Sequence, residues 1–244
     1  MQHKSSYATD VGMTRKVNED SVHADDSVGL YVVCDGMGGH KCGDVASSTS
    51  VELISASVAS ARSGGDKKDG DQVIVEAIKL ANQGVFEISA NKAECKGMGT
   101  TVVAALYEIG NKKIIIGHAG DSRAYRLRGG ELERLTSDHS LVEEQLEAGL
   151  ISKEEAENST QKNIITRAIG QNADIEVTVR QEDVAKGDMI LLCSDGLSNM
   201  VIDSDICEIL NKAVNVDEAV IELVDMANKN GGNDNISAVV VAFD

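Results

Sequence analysis

The residues that could do chemistry in this chain are acidic, and they fall in five short blocks. These are Arg15-Lys16-Val17-Asn18-Glu19-Asp20, Val32-Val33-Cys34-Asp35-Gly36-Met37-Gly38-Gly39-His40, Gly117-His118-Ala119-Gly120-Asp121-Ser122-Arg123, Cys193-Ser194-Asp195-Gly196 and Gly231-Gly232-Asn233-Asp234-Asn235. An apolar run that stops at Asp-Gly leaves a carboxylate at a strand end. Several such ends on one edge would concentrate negative charge that repels itself until a cation neutralises it. Carboxylate, carbonyl and water ligands, without Cys or His, suit hard divalent metals.

The elements that must position these blocks can be read from the apolar pattern. Residues 30–35 form a short buried strand, and residues 44–61 and 71–91 carry apolar side chains at helical spacing, separated by a polar loop at 63–70. From residue 100 the texture changes to strands at 100–108, 113–117, 123–127 and 131–136. The turns Gly110-Asn111 and Gly129-Gly130 make them an antiparallel meander. Ser140-Leu141-Val142-Glu143 and Ser152-Lys153-Glu154-Glu155 read as capping boxes, and Gly149 as a C-cap. Residues 140–158 are therefore expected as two short helices that interrupt the sheets as a flap. Strands follow at 175–179 and 189–194, helices at 203–213 and 216–229, and a last strand at 236–243. Two packed antiparallel sheets flanked by helices, an α+β fold, satisfy this order.

Composition narrows the function. The formal charge of −17 argues against a surface that neutralises nucleic-acid or anionic-lipid phosphates. No apolar run approaches the length of about 18 residues of a membrane span, and the first residues lack an apolar signal core. A cytoplasmic monomer, one domain over residues 1–244, is expected. The five cysteines are odd in number and contain no Cys-x-x-Cys pair, so they are expected to be reduced, mostly buried thiols. Proline is absent, and with two Phe, four Tyr and no Trp the core must be aliphatic.

Taken in order, Arg15-x-x-Asn18-Glu19-Asp20, Asp35-Gly36-Met37-Gly38-Gly39-His40, Gly99-Thr100-Thr101, Gly120-Asp121-Ser122-Arg123, Thr136-Ser137-Asp138-His139-Ser140, Ser194-Asp195-Gly196 and Asp234-Asn235 resemble a known family. It is the metal-dependent protein phosphatases of the protein phosphatase 2C type, in the compact bacterial form, and the resemblance covers residues 7–244. It implies a four-layer αββα sandwich with a helical flap at about 141–170. Asp35 would bridge two Mn²⁺ or Mg²⁺ ions, with the Gly36 carbonyl on one and Asp195 and Asp234 on the other. Glu19 and Asp20 would complete or orient the shells through water, and Asp121 with Asp195 would hold a weaker third ion. A hydroxide shared by the two ions would attack phosphoserine or phosphothreonine monoesters directly, without a covalent phosphoenzyme. Arg15, with its planar fork, would hold the phosphate. Phosphoproteins and a bacterial Ser/Thr kinase opposed by this activity are the implied partners.

The chain departs from the family's eukaryotic pattern at Met37, where many members carry a His proposed as the acid for the leaving alkoxide. His40, His118, His139 or a metal-bound water could replace it. The flap has Ser159-Thr160-Gln161-Lys162-Asn163 where related bacterial sequences often carry His-Pro. Asp138 and Ser140 are expected as helix caps, and Glu143, Glu144 and Glu147 as a solvated face. Rival chemistries lack their motifs: there is no Cys-x5-Arg, no Gly-Asp-x-His with Gly-Asn-His-Glu, and no Gly-x4-Gly-Lys-Ser/Thr loop. The alternative is a catalytically silent regulator of the same fold that binds phosphoproteins. The presence of Asp35, Asp195 and Asp234 together favours the enzyme.

Overall fold

Side-chain alternation along the strands builds the layers. The structure, a computed structural model, describes residues 1–38, 42–63 and 68–244. In chain order the elements are β1 (His3–Asp10), β2 (Asp20–Asp25), β3 (Leu30–Met37), α1 (Gly43–Ser63), α2 (Gly70–Asn91), β4 (Gly99–Thr100), β5 (Val102–Glu108), β6 (Lys113–Ala119), β7 (Arg123–Arg128), β8 (Glu131–Arg134), α3 (Leu141–Glu147), α4 (Lys153–Glu157), β9 (Thr178–Asp183), β10 (Met189–Cys193), α5 (Asp195–Ser198), α6 (Asp203–Lys212), α7 (Val216–Lys229) and β11 (Ile236–Phe243). One sheet has the order β1-β11-β10-β7-β8, and the other β2-β3-β5-β6-β9 with β4 beside β3. Their pairings are antiparallel.

Successive residues of a strand face opposite sides. On β3, Tyr31 and Val33 enter the layer between the sheets with Val239, Val241 and Phe243 of β11. Leu30, Val32 and Cys34 face the other way, into the layer under α1 and α2. Leu191, Cys193 and Val240 pack with α6 and α7 on the second sheet. These three layers of apolar contact make the expected αββα sandwich. The same parity places Asp35 on the inter-sheet side, at the end of that layer.

Three expectations need correction. β1 and β2 were not expected, because both are edge strands whose polar, half-exposed sequences carry little apolar signal. β9 lies at Thr178–Asp183 rather than 175–179, again on a sheet edge, where TVRQED is held by pairing with β6. The cysteines are not all thiols: Cys42 and Cys95 form a disulfide, with Cα atoms 5.4 Å apart. The cause is the hairpin of α1 and α2, 21 and 22 residues long, which returns the chain to the start of α1. Their separation of 53 residues hides this in the sequence. Closing such a loop stabilises the fold by about 4 kcal/mol in the chain-entropy account. Cys34 and Cys193 remain buried thiols, and Cys207 a partly exposed one. Gly39 and His40, and residues 64–67 of the expected polar loop, lie outside the described residues.

Candidate metal centre and active-site cleft

Strand ends deliver the acidic side chains, and bonds from neighbouring strands fix them. At Asp35 the carbonyl accepts from Thr101 N at 2.9 Å and from Thr100 Oγ1 at 2.8 Å, while Asp35 N donates to Thr101 Oγ1 at 3.1 Å. Gly36 N then donates to the Glu19 carbonyl at 3.1 Å. A Cβ on Gly36 would lie 2.2 Å from the Gly43 carbonyl oxygen, so only glycine fits between β3 and the start of α1. Gly196 is as tightly placed, since a Cβ there would lie 1.9 Å from the Asn235 carbonyl oxygen. That contact draws the start of α5, with Asp195, against the turn that carries Asp234.

Asn235 joins this turn to the loop between β1 and β2. Its Oδ1 accepts from Glu19 N at 2.8 Å, and its Nδ2 donates to the carbonyls of Val11 at 3.0 Å and Val17 at 2.9 Å. Asp20 pairs with Asp35 in the register of β2 and β3. Its Oδ2 accepts from Ser194 Oγ at 2.8 Å and Ser237 Oγ at 2.7 Å, so the opposite sheet orients a carboxylate of this one. Asp121 follows β6, and the adjacent Ser122 shares a 2.7 Å hydrogen bond with Thr101. Asn235 and Ser194 lie in blocks singled out from the sequence, but their positioning roles were not foreseen. Ser237 had no sequence signal, since it is a small polar residue inside an apolar strand.

A cavity of about 320 Å³ collects Arg15, Glu19, Asp35, Gly36, Asp121, Asp195 and Asp234. Asp20 is outside its lining, held by the serines. The electrostatic consequence is large. Burial lifts the Asp35 carboxyl well above its usual range, and repulsion from Asp20, Asp195, Asp121 and Asp234 adds to it. Asp121 is pushed up to about 7 by burial, then by Asp195 and Asp138. Asp20 is pushed up to about 6 by burial, against the lowering effect of its serine bonds. Burial also raises Asp195, with Asp234 adding to it, and raises Glu19, with Asp44 adding to it.

Among the described residues, no three His, Cys, Asp or Glu side chains already stand as a finished ligand set. Carboxylates in and beside the cleft instead need a partner. Asp20 Oδ1 and Asp195 Oδ1 are buried and make no hydrogen bond. An unpaired buried carboxylate oxygen is costly, and a cation removes that cost together with the mutual repulsion. The oxygen-only donor set fits Mn²⁺ or Mg²⁺.

Arg15 stands on the rim with its side chain half exposed, and its Nη2 donates to Asp234 Oδ2 at 2.7 Å. His118 and His139 are buried and stacked, with ring centroids 4.5 Å apart. His139 Nδ1 accepts from Gly120 N at 3.2 Å, Nε2 meets Thr178 Oγ1 at 2.9 Å, and burial lowers its pKa to about 4. His118 Nε2 is engaged with the Ser137 carbonyl at 2.9 Å. Neither ring lines the cavity, which removes both as proton donors to a leaving group. His40 lies outside the described residues. Met37 does line it, where an imidazole was missed.

Asp138 is not a helix cap. It takes Arg123 in a fork, with Nε at 3.1 Å from Oδ1 and Nη2 at 2.7 Å from Oδ2, and it also accepts from Arg134 Nη2. The two arginines come from adjacent strands, which sequence spacing does not reveal. Ser140 is the N-cap of α3, accepting from Glu143 N. The acidic face of α3 is tied down as well, since Ser137 donates to Glu147 and Thr166 to Glu144. Under the flap a second cavity, of about 450 Å³, adjoins the first and shares Asp121, Asn163 and Asp195 with it.

The chain is similar to known proteins over nearly its whole length. The sequence model of the family described as Protein phosphatase 2C matches residues 14–240. The chain belongs to the protein phosphatase 2C family. The serine/threonine phosphatase stp of Listeria monocytogenes serotype 4b is 37% identical over 243 residues, covering 98% of this chain and 96% of that protein. The crystal structure of the Mycobacterium tuberculosis serine/threonine phosphatase PstP/Ppp has a TM-score of 0.89 at 34% identity, covering 99% of each chain. The catalytic domain of serine threonine protein phosphatase PstP in complex with two manganese ions has a TM-score of 0.86 at 34% identity, also covering 99% of each chain. Protein phosphatase 2C enzymes are metal-dependent, and the fold of this chain follows that family.

Proposed function

We propose that this protein hydrolyses phosphoserine and phosphothreonine monoesters in proteins, with two divalent ions, Mn²⁺ or Mg²⁺, held in the acidic cleft. Family membership and relatives that are serine/threonine phosphatases over nearly their whole length support the reaction class. The observation that carries the reading is the convergence of Asp35, Asp195 and Asp234 from different strand ends on one cavity, with buried carboxylate oxygens left unpartnered. Asp35 and the Gly36 carbonyl would hold one ion, and Asp35 with Asp195 and Asp234 the other. Glu19 and Asp20 would act through water, and Asp121 with Asp195 would take a weaker third ion.

Ions bound there supply positive charge to the transferring phosphoryl group and lower the pKa of water, so that a nucleophile is available near neutral pH. The protein's own residues do the rest. Asp20, fixed by Ser194 and Ser237, and Asp35, clamped by Thr100 and Thr101, keep the carboxylates from relaxing apart as charge develops. Arg15 makes a single bond among the described residues, through Nη2, leaving Nε and Nη1 to bind phosphate oxygens. The three intact central aspartates weigh against a silent regulator.

A cytoplasmic monomer that opposes a Ser/Thr kinase is the setting proposed. Among the described residues no helix is long and apolar enough to cross a membrane. The test is turnover of p-nitrophenyl phosphate and of phosphoserine and phosphothreonine peptides. Hydrolysis is expected with Mn²⁺ or Mg²⁺ and none after exhaustive chelation; full activity without ions would refute the proposal.

A further inference from the structure

The cavity under the flap carries charges that the hydrolytic reaction does not use. It is lined by four cationic side chains: Arg123 and Arg134 from the meander, and Lys153 and Lys162 from the flap. Arg123 and Arg134 share one counterion, Asp138. Arg134 Nε is buried and has no hydrogen-bond partner. Lys153 and Lys162 are exposed and make no ion pair among the described residues. Of the acidic residues in the lining, Asp121 and Asp195 belong to the proposed metal centre, which leaves Asp138 and Glu143 against four cations. Val142, Leu146 and Ala156 give the cavity an apolar wall.

We infer that this cavity is a specificity subsite that receives an acidic side chain, Asp or Glu, of the phosphoprotein near its phosphorylated residue. The inference rests on the phosphatase reading above and adds what selects among substrates. Geometry supports it, because the two cavities meet at Asp121, Asn163 and Asp195, so a peptide with its phosphate at the ions can reach the second cavity. The chemistry fits too. A carboxylate entering there meets two unpaired ammonium groups, with the guanidinium groups of Arg123 and Arg134 sharing a single counterion behind them, and its methylene stem lies along the apolar wall. A lysine in the same place meets like charge.

The experiment compares kcat/KM for phosphothreonine peptides in which Glu, Ala or Lys is moved through successive positions on both sides of the phosphoresidue. Assays use the Mn²⁺-loaded protein at low and high salt, with p-nitrophenyl phosphate as a reference. At one position Glu is expected to exceed Lys by about five- to tenfold, carried mainly by KM and weakened by salt. The doubly substituted protein Lys153→Glu, Lys162→Glu should reverse the order of the two peptides, and Lys153→Gln, Lys162→Gln should abolish the difference. Because each variant is read as a ratio between peptides, a loss of folded protein cancels. Equal kcat/KM for Glu and Lys at every position, or a preference that survives both variants, overturns the subsite while leaving the phosphatase reading intact. Absence of turnover on every substrate, p-nitrophenyl phosphate included, overturns both.

Discussion

At the acidic edge the Asp20 carboxylate is locked by Ser194 and Ser237 of the opposite sheet, and the Asp35 backbone is clamped by Thr100 and Thr101 of the neighbouring strands. Across the cleft, the flap consists of α3 and α4, of seven and five residues, too short to be stable as isolated helices. It relies on its caps: Ser140 at α3 and a full capping box between Ser152 and Glu155 at α4. At its far end Ile169 and Thr100 exchange backbone bonds of 2.8 and 3.1 Å, and Gly170 N donates to Asn82 Oδ1 at 2.8 Å. The contrast separates two tasks. The groups proposed to hold ions sit at the edge of the sandwich, whereas the proposed subsite takes Arg123 and Arg134 from the sandwich and Lys153 and Lys162 from the flap.

Substitution on the rigid side should have the largest effect. Asp35→Asn keeps the shape of the side chain and removes its charge, and kcat is expected to fall at least about 10³-fold in steady-state assays with Mn²⁺. Activity near that of the parent would place the chemistry elsewhere. Arg15→Ala, on the rim between the two regions, should raise KM about tenfold with less change in kcat. An unchanged KM would detach Arg15 from the phosphate.

Acidity tests the same edge through stability. Asp20 and Asp121 keep their protons to about pH 6 and pH 7 in the folded state, whereas an unfolded Asp releases its proton near 3.8. Through that window the folded state binds more protons than the unfolded, so rising pH favours unfolding. His118 and His139, both lowered from 6.5, oppose this below pH 6.5, but the raised carboxylates of Glu19, Asp35 and Asp195 outnumber them. Scanning calorimetry in chelator should therefore give a Tm that falls by about 4 °C between about pH 5 and pH 7, and Mn²⁺ should remove the fall. A Tm that rises with pH in chelator would show that the carboxylates are not crowded. The smallest effect belongs to the flap. Ser152→Ala removes the cap of α4, worth about 1 kcal/mol, and should speed amide exchange in α4 while leaving the exchange of β3 and β11 unchanged. Equal acceleration in those strands would mean that flap and sandwich unfold as one unit.

The central strands were legible in the sequence because they are buried on both faces and stop at turn residues, as β3 does at Asp35-Gly36. Of the edge strands, β8 was read through its Gly129-Gly130 turn, but β1, β2 and β9 were not. β1 and β9 each pair on one side only, need few apolar residues, and were missed or shifted. The acidic residues of the cleft were legible because Asp-Gly and Asp-Asn pairs mark strand ends in one order. What escaped were contacts between elements far apart in the chain: Asn235 on Val11, Val17 and Glu19, Asp138 between two arginines, and Cys42 on Cys95. Each depends on which elements become neighbours, and local pattern does not encode that.

Titration calorimetry of Mn²⁺ into the chelator-stripped protein tests the central claim most directly. Uptake of two ions per chain is expected, with binding strongly weakened in Asp35→Asn. No uptake, or the same isotherm for the parent and Asp35→Asn, would contradict it.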